Sequence, residues 1–343
     1  MVAISRASFF NALIASSATL SFINNHPQQT PDKNEYYTAS ANYVRKEITH
    51  IIKNQDPSLA GSILRLAFHD ATVRSVASDP FVGGADGSIR YELDWSENRG
   101  LAKPLKVVQQ VFESQQRKYC PFDDSDPVSA LGTDVSTGLC HSLSFADVLA
   151  LSGAAAVEAA QGPNIRIRLG RKDAHHADNR FLDNSIQGET DRSSITSSLP
   201  SAALDSLGLR NYFTRLGLSE SEMVALSGAH DLGRHVTLTG MPRECLRNLT
   251  RVCLEDAPVL APFITADPDT LSNRYFQTML RWNDRNIEFG EAAFIPTDVA
   301  MVVDGGLKKH VIVFANDEQL FFRRFSSAYQ KLVDSTATSS SRY

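Results

Sequence analysis

Arg65 and His69 are a pair of side chains whose types and spacing could do acid-base chemistry. They lie four residues apart in the run Leu64-Arg65-Leu66-Ala67-Phe68-His69-Asp70. Residues four apart on a helix project from one face, so a guanidinium and an imidazole would share one pocket. A histidine on a mostly apolar helix is more often a hydrogen-bonded core residue, and this alternative stays open for His69 taken alone.

A second histidine follows a run of small residues. His230 closes the sequence Leu226-Ser227-Gly228-Ala229-His230 at the end of a predicted helix. Small residues let a large planar ligand approach a helix closely, and imidazole is a common metal ligand. The two histidines together favour a functional site over two unrelated core residues.

These segments belong to a series of six motifs in a fixed order. From about Tyr36 to Asp334 the chain resembles the haem peroxidases of the plant, fungal and bacterial superfamily, which includes ascorbate and cytochrome c peroxidases. The matching motifs are Arg65-x-x-Phe68-His69-Asp70, Gly84-Ala85-Asp86-Gly87-Ser88, Glu97-Asn98-x-Gly100-Leu101, Ser144-x-Ala146-Asp147, Gly170-Arg171-x-Asp173 and Leu226-Ser227-Gly228-Ala229-His230-x-Leu232-Gly233. The resemblance implies two helical lobes enclosing one haem b, and an enzyme that reduces hydrogen peroxide while oxidising a small donor.

By that resemblance, His230 is the proximal ligand of the haem iron and Asp298 accepts its other ring proton. A carboxylate in that position gives the imidazole anionic character and stabilises oxidised iron. His69 would take a proton from peroxide and return it to the leaving oxygen, while Arg65 stabilises the developing charge. Asn98 matches the family residue that hydrogen-bonds the distal histidine. Without the family, Asp298 equally fits an exposed loop acid and Asn98 a turn residue.

Two aromatic positions distinguish the chain from the ascorbate peroxidases. Phe68 stands where those enzymes carry a distal Trp, and the position of their proximal Trp falls at Phe263 or Ile264. The resemblance therefore implies that Phe68 and Phe263 border the haem. It also implies that the second oxidising equivalent rests on the porphyrin rather than on a Trp, and that catalase activity is weak.

Two sets of oxygen-bearing residues resemble the cation sites of these enzymes. The residues that match the distal calcium ligands are Asp70, Gly84, Asp86 and Ser88. Two carboxylates with carbonyl and hydroxyl oxygens suit a hard cation, so calcium is expected there. The residues that resemble the proximal cation site are Asp231, Thr265 and Asp267. Ser272 replaces the expected Asp of that site, so the alternatives there are calcium, potassium and no ion.

The basic residues that hold ascorbate in ascorbate peroxidases are replaced in this chain. Thr239 stands at the position of their Arg, and Pro57 at the position of their Lys. Arg243 could substitute, but a solvated surface arginine is the more common case. We therefore expect ascorbate to be a poor donor.

A haem-free or inactive structural relative in the thylakoid lumen is the alternative from a different class of function. The chain retains all five residues of the expected reaction site, namely Arg65, His69, Asn98, His230 and Asp298. A structural descendant has no need for all five, so the enzyme is favoured. A zinc hydrolase is excluded by the lack of any HExxH-like spacing.

The elements that must position these residues are predicted to be mainly helical. Apolar spacing and capping residues predict helices near 44–52, 59–73, 103–115, 144–160, 203–216, 219–230, 271–282 and 317–332. The β-branched run at 311–314 is the best strand candidate, and 170–198 is expected to be a surface loop. We expect a targeting segment at 1–30, a peroxidase domain at 31–334 and a disordered tail at 335–343.

The net charge and the N-terminal sequence indicate which partners and which compartment to expect. The 343 residues are 42% hydrophobic and carry a formal net charge of −5, which argues against nucleic acid as a partner. The N-terminal apolar stretch has the layout of an export signal, and secretion and the thylakoid lumen are both consistent with it. Beyond it no apolar run is long enough for stable membrane insertion. The cysteines, which could form disulfides or remain free thiols, are Cys120, Cys140, Cys245 and Cys253.

Overall fold

The computed structural model describes residues 33–72, 84–120, 142–177, 199–200, 204–236, 260–262, 264, 267–283, 294–339 and 341–343. These residues are mainly helical, which confirms the predicted fold class. The expected targeting segment at 1–30 and most of the expected loop at 170–198 lie outside the described residues.

Four helices form the first of two helical groups. They are α1 (Lys33–Asn54), α2 (Leu59–Thr72), α3 (Ala102–Tyr119) and α4 (Phe145–Ala159). Helix α4 packs against the other three and is buried along almost its whole length, because its sequence is apolar on every face. Its N-terminus is capped by Ser144, whose hydroxyl accepts a hydrogen bond from the Asp147 amide, as predicted.

The second group contains α5 (Ser206–Arg215), α6 (Glu220–Ser227), α7 (Arg274–Asn283), α8 (Pro296–Val303), α9 (Gly305–Asn316) and α10 (Glu318–Asp334). Helix α9 packs against α6, α7, α8 and α10. A 3₁₀ turn, Gly228–Asp231, continues α6. Two short antiparallel strands, β1 (Arg234–Val236) and β2 (Leu260–Pro262), pair with Arg234 opposite Pro262.

The predicted capping box at the start of α6 is present. Ser219 and Glu222 each accept a hydrogen bond from the other's backbone amide. These reciprocal bonds satisfy two amides that a helix start otherwise leaves without partners. The helix that leads to His230 therefore begins where its sequence predicts.

The motifs at 144–147 and 170–173 form hydrogen bonds with each other. Their role is to stabilise the fold. Asp173 accepts hydrogen bonds from the first amides of α4, those of Phe145 at 3.0 Å and Ala146 at 2.8 Å. Arg171 is buried and donates to the Asp147 carboxylate at 2.8 Å and to the Val333 carbonyl at 2.7 Å. The pair of motifs therefore ties the segment after α4 to both α4 and α10.

The strand predicted at 311–314 is wrong, because these residues lie within helix α9. The β-branched run favours a strand locally, but tertiary packing overrides that preference. Val311 and Phe314 are buried three positions apart on one helix face, while Ile312 and Val313 are each 42% exposed. Helix α8 was also absent from the predicted elements.

The prediction of a disordered tail after residue 334 is wrong for the described residues 335–339 and 341–343. Tyr343 and Ile167 exchange two backbone hydrogen bonds, and the Ser339 amide donates to the Leu169 carbonyl at 2.8 Å. The Thr336 hydroxyl donates to the Ala85 carbonyl at 2.7 Å. The polar composition suggested disorder, but the backbone of this tail pairs with the segment after α4.

The described residues include one cysteine, Cys120. Cys120 is disulfide-bonded, so the alternative of four free thiols is wrong for this residue. The remaining cysteines, Cys140, Cys245 and Cys253, lie outside the described residues. Among the helices that are described, none combines the length and the apolar character that a membrane span requires.

Candidate functional site

Helix α2 carries Arg65 and His69 on one face, as their spacing predicts. The Arg65 guanidinium donates to the backbone carbonyls of Arg99 at 3.0 Å and Glu97 at 2.6 Å. These two carbonyls hold the cation next to the segment that contains Asn98. The Arg65 side chain is exposed, as expected for a group that lines an accessible pocket.

Asn98 sets the proton position on the His69 ring. Its amide nitrogen donates to the Glu92 carbonyl at 2.9 Å, which turns its oxygen toward the histidine. That oxygen lies 2.8 Å from His69 Nδ1. An amide oxygen only accepts hydrogen bonds, so Nδ1 carries the proton and the lone pair resides on Nε2. The expected hydrogen bond between Asn98 and His69 is therefore present.

The surroundings keep His69 neutral. Burial lowers the pKa of its imidazole to about 3, and the Arg65 guanidinium lowers it further, while the Asn98 hydrogen bond favours the charged form. Burial also lowers the pKa of Arg65 to about 10, which leaves the guanidinium protonated near neutral pH. The pair thus presents a neutral base beside a cation, which suits the transfer of a proton from a weak acid.

On the other helical group, His230 is held by the carboxylate of Asp298. His230 Nδ1 lies 2.8 Å from Asp298 Oδ1, and the Asp298 side chain is only 1% exposed. The second carboxylate oxygen accepts the Ile295 amide at 3.0 Å, at the start of α8. Because the carboxylate binds the Nδ1 proton, Nε2 is the nitrogen that can act as a ligand.

Tyr275 is a member of the site that the sequence analysis missed. Its hydroxyl lies 2.6 Å from Asp298 Oδ1, the oxygen that also faces His230. Burial and the neighbouring Asp298 carboxylate hold the pKa of Tyr275 well above its usual range, so the phenol keeps its proton and donates. A buried tyrosine needs a partner for its hydroxyl, but the sequence does not reveal which acid 23 residues away provides it.

The distal helix and the segment that carries His230 meet at two glycines. A Cβ on Gly61 would lie 2.7 Å from the Gly233 Cα, a separation that packed atoms do not adopt. Arg65 and His69 follow Gly61 by one and two turns, or about 6 and 12 Å along the α2 axis. The close approach therefore fixes the start of the distal helix against the chain that follows His230.

The residues expected to bind a distal cation do converge. Asp70 accepts backbone hydrogen bonds from Asp86 at 3.1 Å, from Gly87 at 3.0 Å and from Ile89 at 3.1 Å. Burial and the nearby Asp86 raise the pKa of Asp70 to about 8, and burial also raises the pKa of Asp86. The buried Ser88 hydroxyl lies near Asp86 and makes no hydrogen bond of good geometry.

Gly84, the fourth residue of the expected distal set, lies where this loop meets the C-terminal tail. Its φ is +141°, and a Cβ there would lie 2.3 Å from the Ser335 hydroxyl oxygen. A side chain at this position would therefore be strained and would push the tail away. The loop geometry and the ordered tail thus depend on each other.

The proximal acids contact an arginine. Asp231 is buried and accepts hydrogen bonds from the Ser272 amide at 2.6 Å and the Ser272 hydroxyl at 3.0 Å. Arg274 lies 3.6 Å from Asp231 and 3.8 Å from Asp267. Burial raises the pKa of Asp231 to about 6, and Arg274 opposes that rise. A cationic side chain therefore lies between the two described acids of this set.

Phe68 contacts the distal histidine, whereas two other expected residues cannot be placed. The rings of Phe68 and His69 are 6.2 Å apart and meet edge to face. Phe263 and Thr265 lie outside the described residues, as do Thr239 and Arg243. Within the described ranges, no group of three or more His, Cys, Asp or Glu side chains is arranged to hold a metal ion.

We expect His69 to stay neutral from about pH 8 down to about pH 4, because burial and Arg65 disfavour its cation. An NMR titration of the imidazole in the folded protein measures this, and an apparent pKa near the usual ~6.5 would contradict it. The unfolded chain binds a proton at His69 that the folded chain does not. Stability should therefore fall as the pH drops below about 6.5, and His69→Gln should reduce that dependence.

Comparison with known proteins places the chain in a family. The Peroxidase family matches residues 44–124 and 126–317. "Putative L-ascorbate peroxidase 6" of Arabidopsis thaliana is 29% identical over 322 residues, covering 93% of this chain and 75% of the relative. "Putative heme-binding peroxidase" of Gibberella zeae is 28% identical over 314 residues, covering 85% and 77%. "L-ascorbate peroxidase 5, peroxisomal" of Arabidopsis thaliana is 28% identical, covering 87% and 83%. The chain belongs to the peroxidase family.

Proposed function

We propose that this chain is a haem peroxidase that reduces hydrogen peroxide to water while oxidising a small donor. The proposal rests on one observation, which is that both histidines have Nδ1 hydrogen-bonded and Nε2 left for chemistry. His69 and His230 each have Nδ1 held by a buried acceptor, the Asn98 amide in one case and the Asp298 carboxylate in the other. Each therefore presents Nε2 for chemistry, and the different acceptors suit a base and a metal ligand respectively.

The residues of the proximal side fit a haem. His230 remains 32% accessible although its acceptor is buried, so the ring borders a space rather than the packed core. His230 Nε2 would hold the haem iron, and Asp298 would keep the ring in the orientation that presents this nitrogen. When bound, haem would supply the redox chemistry that cleaves the peroxide bond and takes electrons from the donor.

The residues of the distal side would handle the proton. His69 Nε2 would accept a proton from one peroxide oxygen and deliver it to the other, which leaves as water. The low pKa of His69 keeps the acceptor nitrogen available near neutral pH. Arg65 would stabilise the negative charge on the departing oxygen, and the carbonyls of Glu97 and Arg99 hold it in position.

A haem-free structural relative is the second candidate, and the positions of the polar partners argue against it. The Glu92 carbonyl orients Asn98 so that its oxygen faces His69, and the buried Asp298 accepts a hydrogen bond from His230. Burying polar groups costs free energy unless each finds a partner. A chain that only keeps the fold gains nothing from these arrangements that apolar residues would not provide.

Calcium is the cation proposed for the distal loop. In support, the buried Ser88 hydroxyl makes no hydrogen bond of good geometry, and the two nearby acids have raised pKa values that a cation would reverse. The three backbone amides bound to Asp70 use three of its about four lone-pair positions, which leaves one for an ion. On the proximal side Arg274 takes the place of a metal ion, so one ion per chain is expected.

Export from the cytosol, to the outside of the cell or to the thylakoid lumen, is the compartment proposed. The N-terminal sequence supports it through its apolar, small-residue stretch. The disulfide at Cys120 agrees with an oxidising environment.

The donor is proposed to be a small aromatic reductant rather than ascorbate. Pro57 is exposed at the start of α2, where ascorbate peroxidases carry a lysine. Lys103 is a basic residue close to this position, but its ammonium lies 2.6 Å from the carboxylate of Asp56 and is already paired. A charge-assisted hydrogen bond contributes about 1.5 to 3 kcal/mol, so losing one weakens an anion's binding by about tenfold or more.

The reaction roles predict distinct effects in three variants. The haem-loaded wild type should show a Soret band and react rapidly with peroxide, whereas His230→Ala should lose haem because its axial bond is gone. His69→Leu and Arg65→Leu should bind haem but react about a hundredfold to ten-thousandfold more slowly in stopped-flow mixing. His50→Leu, on the exposed side of α1, is the control that should not change. A wild type without a Soret band would establish the haem-free alternative.

Calcium binding to the full chain should be seen by titration calorimetry as one ion per chain. Asp86→Ala should abolish it, while Asp267→Ala should leave it intact because Arg274 already satisfies that acid. Chelation should lower the melting temperature, since an ion bound only to the folded state stabilises it. If no heat is released and the chelator has no effect, Asp70 serves only to bind the loop amides.

The donor prediction is tested by comparing specificity constants for guaiacol and ascorbate under identical conditions. Guaiacol should be preferred, because the basic group expected near position 57 is absent. Pro57→Lys should shift the ratio toward ascorbate by about tenfold, the value of one charge-assisted bond. Saturation of the wild type by ascorbate at low concentration would show that another basic group holds the anion.

A further inference from the structure

The carboxylate of Asp298 does not serve His230 alone. Its Oδ1 accepts hydrogen bonds from both His230 Nδ1 at 2.8 Å and the Tyr275 hydroxyl at 2.6 Å. Its Oδ2 instead accepts the Ile295 amide. The histidine and the tyrosine therefore draw on the same oxygen, and the tyrosine has the shorter contact.

Sharing one oxygen alters the strength of both bonds. A hydrogen bond to a carboxylate oxygen draws electron density toward its donor and makes that oxygen a weaker acceptor for a second donor. A stronger hydrogen bond from one donor to Oδ1 thus weakens the hydrogen bond from the other donor. In this arrangement Tyr275 limits how far Asp298 can draw the proton away from His230.

Packing prevents Tyr275 from leaving this position. The ring is fully buried on α7 and meets the His230 ring edge to face at 6.0 Å. Phe276 and Phe294 pack against it from two other directions, at 5.0 and 5.9 Å. Rotating the hydroxyl away from Asp298 would require the ring to displace these neighbours, so the shared bond is a fixed feature of the fold.

We propose that Tyr275 is a positioning residue that tunes the proximal ligand by competing with His230 for Asp298 Oδ1. Because this inference rests on the proposed function, the tyrosine would act on the iron only through His230. Without its hydroxyl, Asp298 would bind the His230 proton more strongly and give the imidazole more anionic character. A more anionic ligand strengthens the iron–histidine bond and favours oxidised iron.

The test is Tyr275→Phe, which removes one hydroxyl and keeps the ring. In haem-loaded protein the variant should raise the iron–histidine stretching frequency in resonance Raman spectra and lower the midpoint potential of the iron. Tyr329→Phe is the matched control, since Tyr329 is equally buried but donates to the Ala150 carbonyl. It should shift neither value. Equal behaviour of the two variants would reduce Tyr275 to a packing role.

Two further measurements keep the inference separate from folding defects and from the haem assignment. Incorporating 3-fluorotyrosine at position 275 makes the phenol a stronger donor without removing it, so both shifts should reverse in sign. In haem-free protein, the NMR resonance of the His230 Nδ1 proton should move downfield in Tyr275→Phe. That shift would be seen even if the chain bound no haem, and an unchanged resonance would overturn the competition itself.

Discussion

The proximal half of the structure depends on a single buried carboxylate. Asp298 is almost inaccessible to solvent, and burying a polar side chain costs free energy unless its atoms are hydrogen-bonded. Its three donors come from three different elements, the 3₁₀ turn with His230, helix α7 with Tyr275 and the start of α8 with Ile295. The orientation of His230 is therefore a consequence of how these elements pack.

The distal half achieves the same result with a neutral partner. The Asn98 amide donates to the Glu92 carbonyl and accepts from His69. It orients the ring without placing a formal charge next to it. A carboxylate in place of the amide would favour the imidazolium, which could not accept a proton. Under the proposed function, the amide beside His69 suits a base and the acid beside His230 suits a metal ligand, although both side chains are histidines.

Some residues of the family motifs stabilise the fold and lie outside the candidate site. Arg171 is buried between Asp147 and the end of α10, and Asp173 caps the start of α4. A buried arginine of this kind is stabilising only while its partners remain, because removing one leaves an uncompensated charge. These groups hold α4 in place. Helix α2, which carries Arg65 and His69, packs against α4 and is therefore held as well.

The sequence by itself determined the helical class and most helix positions, and it predicted that Arg65 and His69 share one face. Arg65 and His69 follow from helical spacing, and the caps at Ser144 and Ser219 from local hydrogen-bonding rules, because both depend on neighbours within one turn. The assignment of His230 and Asp298 needed the family resemblance, since 68 residues separate them.

The contacts that no local rule contains were decided by tertiary structure alone. Helix α9 forms where a β-branched run favours a strand, because burying Val311 and Phe314 outweighs the local preference. The polar tail pairs with the segment after α4, because its backbone groups exchange hydrogen bonds with those of Ile167 and Leu169. Tyr275 reaches Asp298, and Arg274 reaches Asp231, because α7 packs against the turn that carries His230. Local sequence sets which groups are present, but packing between distant segments sets which of them share a proton or a charge.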